Sequence, residues 1–145
     1  MVILLIVDHV YYIGNIGDSR VYRLKDELEQ LTKDQTFIQR EMDEGRMTWD
    51  EARRDPRRNM LLQCVGASQV IEPVYHTGDV NPGEMFLLCS DGFRHVITQE
   101  ELYEFLNPYR LLNEKSMQES LVYLTDLNKY RQEVDNISAL LVRTE

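Results

Sequence analysis

Strand-length apolar runs, each cut short by a turn, limit what this chain can fold into more than any other feature. Val2–Val7 is continuously apolar, the pattern of a strand buried on both faces, and it stops at Asp8-His9. Val10–Gly14 is β-branched and aromatic, and the Gly17-bearing stretch Asn15 to Asp18 turns the chain again. Arg20–Leu24 alternates, with Val21 apart from the face of Tyr22 and Leu24. Lys25-Asp26-Glu27 then turns into a short run, Leu28–Leu31. The first third therefore reads as a β-meander. Further strands are predicted at Val70–His76, at Glu84–Cys89 after the turn Asn81-Pro82-Gly83, and at Ile137–Val142.

Between the strands the periodicity changes. Phe37, Ile38, Glu41 and Met42 predict a short helix ending at Gly45. Thr48-Trp49-Asp50-Glu51 is a capping-box sequence, flanked by Met47 and Ala52 at the staple positions, and Pro56 ends or bends the helix it opens. This pair has few large apolar residues and should lie on the surface, with Trp49 as its packing anchor. Thr98-Gln99-Glu100-Glu101 is a second capping box, with Ile97 and Leu102 as a strong staple, opening a helix to about Leu106. Met117, Leu121, Leu124 and Leu127 recur at helical spacing up to about Tyr130. Strands, a helical excursion, strands, two helices and a strand give little βαβ alternation. The order predicts an α+β fold with mainly antiparallel sheets.

The chain has 145 residues, the size of one domain with a real core. Its net charge of −9 argues against nucleic acid or an anionic membrane as a partner. Met1 to Val7 is too short to span a bilayer and lacks the flanks of a signal peptide. Cys64 and Cys89 make no disulfide framework, and Cys89 inside an apolar run reads as a buried thiol of a reducing compartment such as the cytoplasm. Zinc-type Cys or His spacing is absent.

Three aspartates stand at the ends of apolar runs. Asp91 lies in Ser90-Asp91-Gly92 after Phe86–Cys89, Asp135 lies in Asp135-Asn136 before Ile137–Val142, and Asp18 lies in Gly17-Asp18-Ser19-Arg20. Each string alone is ordinary turn sequence. Together they suggest an oxygen-ligand site for a hard divalent cation, Mg²⁺ or Mn²⁺, because crowded carboxylates repel unless a cation lies between them. Arg53, Arg54, Arg57 and Arg58 form a basic cluster in an acidic chain. The favoured reading is a solvated helix face paired with Asp50, Glu51 and Asp55. The other is docking of a phosphorylated or acidic peptide. His9, His76 and His95 show no ligand spacing, and His95 alone is close in sequence to a candidate site residue.

These strings occur in the order and register of a known family. Asn15-Ile16-Gly17-Asp18-Ser19-Arg20-Val21-Tyr22 resembles the NxGDSRxY segment of the PP2C-type (PPM) metal-dependent protein serine/threonine phosphatases, in particular the bacterial branch. Leu31-Thr32-Lys33-Asp34-Gln35 is similar to the segment that follows it, and Pro56 to Leu61 with Val65-Gly66 resembles the end of the family's flap. Pro82 to Phe93 and Asp135-Asn136-Ile137-Ser138 match two further motifs. The resemblance implies an α-β-β-α sandwich of mainly antiparallel sheets. It implies that Asp91 and Asp135 bind a metal pair, that Asp18 with Asp91 serves a third metal, and that Ser90, Gly92 and Asn136 support them. Residues 32–59 would be a flap-like excursion beside the site, with Arg53, Arg54, Arg57 and Arg58 as docking candidates. The implied chemistry is hydrolysis of phosphoserine or phosphothreonine by a water activated between two Mn²⁺ or Mg²⁺ ions, on phosphoproteins made by serine/threonine kinases.

The resemblance covers only the C-terminal portion of the family domain. The Asp-Gly-x-Gly-Gly-His motif, an earlier acidic ligand and a phosphate-binding Arg have no counterpart here, and no catalytic residue beyond the metal ligands is assigned. Residues 1–145 are thus expected to form a single partial domain from a truncated or split gene, with weak metal binding and little or no activity alone. The alternative is a non-catalytic pseudophosphatase or interaction module. An exposed sheet edge or face would then favour a homodimer or a complementary N-terminal fragment as partner.

Overall fold

In the computed structural model, which describes residues 1–145, two antiparallel sheets stack and one of them carries helices on its far face. The first sheet has the order β1-β2-β5, from Val2–Val7, Val10–Asn15 and Val74–Asp79. The second has the order β4-β3-β6-β7, from Leu28–Gln30, Arg20–Leu24, Met85–Cys89 and Ala139–Arg143. Two short helices, α1 (Phe37–Asp43) and α2 (Trp49–Arg54), fill part of the long excursion between β4 and β5. Helices α3 (Asp91–Arg94), α4 (Gln99–Phe105) and α5 (Glu114–Tyr130) separate β6 from β7. No helix is long and apolar enough to cross a membrane.

Strand β3 shows why the layers stack as they do. Val21 is fully buried against Tyr11, Ile13 and Phe86, which fill the space between the sheets. Tyr22 and Leu24 point the other way, into a larger core with Met85, Leu87, Phe93, Leu102 and Leu124. The split read from the alternation of Arg20–Leu24 is therefore real, and it makes the second sheet the buried middle layer. Both predicted capping boxes form. Thr48 Oγ1 accepts the Glu51 N–H at 3.4 Å while Glu51 accepts the Thr48 N–H at 2.7 Å. Thr98 and Glu101 exchange the same bonds at 3.2 and 2.9 Å. Ile97 and Leu102 of the second staple are both buried. Gly45 takes φ +69° after α1, the left-handed conformation that glycine adopts without strain.

Three expectations are corrected. β1 is not buried on both faces: Ile3, Leu5 and Val7 are each about half exposed, because β1 pairs only with β2 and nothing in residues 1–145 covers the outer face of its sheet. Tyr12 and Tyr75 lie on that same face. The strand predicted at Val70–His76 begins at Val74 and runs to Asp79. Pro73, which has no N–H to give a ladder, precedes its first residue. Trp49 is no packing anchor; it is 63% exposed, because α2 buries only Ala52.

Candidate functional site

The loop after β6 and the loop before β7 are joined at one end of the second sheet. Ser90, the N-cap of α3, donates its hydroxyl to the Asn136 carbonyl at 3.0 Å, and Ser90 Oγ accepts the Ser138 N–H at 3.0 Å. A β-carbon on Gly92 would lie 2.6 Å from the Asn136 oxygen and 3.2 Å from Asp135 Cβ, so only glycine allows this approach. Asp91 and Asp135 therefore stand on two loops in direct contact. Asp135 is exposed and its Oδ1 accepts the Asn136 N–H at 2.7 Å.

Glu133 steadies this second loop from below. Its Oε1 accepts the N–H groups of Val134 and Asp135, both at 2.9 Å, and its Oε2 lies 3.1 Å from His95 Nδ1. The Asp135 N–H bond, ahead of a smaller opposing effect of burial, holds the Glu133 carboxyl below the usual range. His95 thus has a partner that its sequence neighbourhood did not disclose.

Asp18 reaches the same end from the turn between β2 and β3. Gly17 takes φ +96° there and gives its N–H to Gln35 Oε1 at 2.7 Å. Burial raises the Asp18 pKa, and the charge of Asp91 raises it further, which places the two carboxylates within each other's field. Beneath them lies an ion cluster. Arg20 donates twice to Asp34, both at 2.7 Å, and once to Tyr22 Oη at 2.8 Å. Arg94 donates to the same Asp34 at 3.3 Å and to the Asp18 carbonyl at 3.1 Å. Burial opposes the charge of Arg20, but its bonds to Asp34 and the charges beside it outweigh that and raise the pKa.

An open cavity of about 760 Å³ separates this end from the excursion. Asp18, Asp91, Arg94 and His95 from this end line it together with Trp49, Arg53 and Arg58 from the excursion. Asp135 does not line it. Arg54 and Arg57 are also outside. The expected pairing of the arginines with Asp50, Glu51 and Asp55 holds only for Arg57, which donates to Asp55 at 2.7 Å; Glu51 is occupied in its capping box.

The carboxylates have the donor chemistry of a Mg²⁺ or Mn²⁺ site, and the closeness of Asp18 to Asp91 is the kind of crowding a cation relieves. Yet no group of three or more His, Cys, Asp or Glu comes together to hold an ion. Asp18 and Asp91 face the same cavity as oxygen donors, without a third donor grouped beside them.

Sequence reasoning passed over Asp34, Arg94 and Glu133 as site residues. Asp34 had a signal, since Leu31 to Gln35 is one of the matched segments. Arg94 and Glu133 had none, because their partners lie 60 residues away for Arg94–Asp34 and depend on loop docking for Glu133–His95.

No protein-family model matches the chain. The serine/threonine phosphatase Stp of Listeria monocytogenes is 34% identical over 134 residues, which is 92% of this chain and 51% of that protein. The crystal structure of the Mycobacterium tuberculosis serine/threonine phosphatase PstP superposes with a TM-score of 0.85 at 33% identity, covering 98% of this chain and 58% of that one. The catalytic domain of PstP in complex with two manganese ions matches with a TM-score of 0.78 at 32% identity, over 97% of this chain and 56% of that one. The chain spans about half the length of the first curated relatives it matches. Over that span its sequence and fold resemble those of the C-terminal part of PP2C-type serine/threonine phosphatases.

Proposed function

We propose that this chain, related to PP2C-type serine/threonine phosphatases over about half their length, contributes the C-terminal part of such a phosphatase domain. Residues 1–145 act as one partial domain, and residues 32–59 as the flap beside its site. The observation that supports this reading best is the contact of Gly92 with the 135–136 loop, which brings the Asp91 and Asp135 loops together, while Asp18 faces the same cavity as Asp91. Asp91 and Asp135 would be ligands of a metal pair, and Asp18 with Asp91 of a further ion. Ser90, Gly92 and Asn136 hold the loops. Bound Mn²⁺ or Mg²⁺ supplies, in sites of this kind, a nucleophilic water near neutral pH and neutralisation of phosphoryl charge. The substrate class is phosphoserine or phosphothreonine in proteins, the product of serine/threonine kinases. Weak metal binding and little or no turnover by these residues alone belong to this reading. Free Cys64 and Cys89 suit a reducing compartment such as the cytoplasm.

A phosphopeptide or p-nitrophenyl phosphate assay with Mn²⁺ tests this. The expected result is negligible turnover alone, and turnover on adding the separately expressed N-terminal half of a PP2C-type relative, lost in Asp91→Asn. Robust turnover of the chain alone that Asp91→Asn abolishes would overturn the inactivity. Failure of every complementing half would count against the phosphatase assignment.

A second reading, a non-catalytic module that self-associates or pairs with a complementary subunit, is favoured by the outer face of the first sheet. Ile3, Leu5, Val7, Tyr12 and Tyr75 form an exposed apolar surface there beside the unpaired edge of β1. Light scattering after size exclusion separates the readings. A dimer that Leu5→Lys converts to monomer supports association through this face, and a stable monomer at high concentration excludes self-association.

A further inference from the structure

The cavity beside Asp18 and Asp91 has a cationic wall that the metal-site reading does not use. Four arginines fall within residues 53–58, and the fold gives them different surroundings. Arg57 is engaged, with its guanidinium bonded to both oxygens of Asp55 and lying 4.1 Å from the Phe37 ring centre. Arg54 is exposed and outside the cavity. Arg53 and Arg58 line it, and neither forms an ion pair with any carboxylate of this acidic chain. Arg53 is instead laid over the indole of Trp49 at 4.6 Å from the ring centre, a contact that limits its freedom without consuming its hydrogen-bond donors. Trp49 is itself open to the cavity.

The two contributions to the lining differ in charge. The sheet end supplies Asp18 and Asp91, with Asp34 already shared by Arg20 and Arg94. The excursion supplies the Arg53 and Arg58 guanidiniums, whose donors are free. A guanidinium over an aromatic ring keeps its N–H donors available to a carboxylate or phosphate, and its planar fork suits such anions better than a Lys ammonium. The wall is therefore suited to an anionic group carried on the same ligand as the group that reaches the aspartates.

We propose that Arg53 and Arg58, with Trp49 as platform, form a docking subsite for an anionic side chain that flanks the phosphoresidue of a peptide substrate. The identity of the reacting phosphoresidue rests on the phosphatase reading; the anion subsite does not. It selects peptides with a neighbouring acidic or second phosphorylated residue over those with neutral neighbours.

Trp49 is the only tryptophan of the chain, so its emission reports directly on this wall. The 145-residue chain is titrated with four probes: a singly phosphorylated peptide with neutral flanks, the same peptide with glutamate flanks, a doubly phosphorylated peptide, and inorganic phosphate. The two flanked peptides are expected to change Trp49 emission and to bind at least about tenfold tighter than the neutral one, with affinity falling as salt rises. Arg53→Ala with Arg58→Ala abolishes that preference. Arg54→Ala, which removes the same charge outside the cavity, keeps it. Equal binding of neutral and flanked peptides would overturn the subsite. So would an equal loss in Arg54→Ala, which would leave only net charge, or a matching response to inorganic phosphate at the same concentration, which would leave only a free-ion site. Asp91→Asn retains the flank preference, so failure of the phosphatase assay and failure of this titration are separate results.

Discussion

Gly92 and Asn136 approach so closely that no side chain fits between them: a β-carbon on Gly92 would meet the Asn136 carbonyl oxygen at 2.6 Å. That contact sets the separation of the Asp91 and Asp135 loops. Gly92→Ala must push the loops apart, because the obstruction is backbone and not the tip of a flexible side chain. The expected cost is about 1–3 kcal/mol, the range for overpacking a closed site. It should appear as a lower urea midpoint with an unchanged slope. Amide shifts should concentrate at residues 90–93 and 133–138. A variant with the parent midpoint and an unshifted Asp135 amide would show that the loops have slack.

What the sequence disclosed and what it hid follow from how local each interaction is. The capping boxes at Thr48 and Thr98 were legible because the bonds span three residues. The third box, Asn113 with Ser116, went unread because Asn and Ser replace the Ser/Thr and Glu/Gln of the usual pattern. The division of β3, with Val21 on one face and Tyr22 and Leu24 on the other, was legible from the alternation of Arg20–Leu24. The same logic failed for Val2–Val7. Its apolar residues are also continuous, but burial depends on what covers the sheet, and residues 1–145 cover one face only. Asp18, Asp91 and Asp135 stand out as candidates because each sits at the end of an apolar run. That the Asp91 and Asp135 loops meet at Gly92, and that Asp34 serves two arginines, are long-range facts with no local signal.

The two thiols should react at very different rates. Cys64 is exposed, whereas Cys89 is 4% exposed in the core beneath α3. Burial pushes the Cys89 thiol up to about 12, so almost none of it is thiolate near neutral pH. Ellman's reagent at pH 8 is expected to modify one thiol per chain promptly and the second only at the rate of opening, with both prompt in denaturant. Prompt modification of both thiols in the native chain would contradict the packing of β6 against the helices.

Glu101 gives the fold a defined acid limb. Arg131 donates to both its oxygens, at 2.7 and 2.5 Å, and the Thr98 N–H adds a third bond. These bonds, Arg131 first, hold its pKa down to about 2, against 4.5 unperturbed. A lowered carboxylate pKa means that the unfolded chain takes up the proton first. The stabilisation is present above about pH 4.5 and is lost as pH falls towards 2. The pair is partly exposed, so solvent screening limits its worth to about 1 kcal/mol or less. Glu101→Gln keeps an acceptor for the Thr98 cap and removes the charge. The stability difference between pH 7 and pH 3, from urea unfolding, should therefore be smaller in Glu101→Gln than in the parent. An unchanged difference would assign the acid limb to other groups.

Asp34 is the single carboxylate that both Arg20 and Arg94 use, and all three side chains are less than one-fifth exposed. Removing it strands two guanidiniums at the cavity floor, and removing one side of a buried ion pair costs about 3–5 kcal/mol. The residual exposure here allows some hydration, so Asp34→Asn should lose roughly 2–4 kcal/mol. The loss should be partly reversible in a way that a packing defect is not. Inorganic phosphate or sulfate can supply the missing negative charge between Arg20 and Arg94. Either anion should therefore raise the melting temperature of Asp34→Asn by more than that of the parent, while chloride at equal ionic strength should not. An anion response no larger than the parent's would mean that the arginines rearrange towards solvent when Asp34 is lost, and that the cluster holds them by tethering rather than by charge.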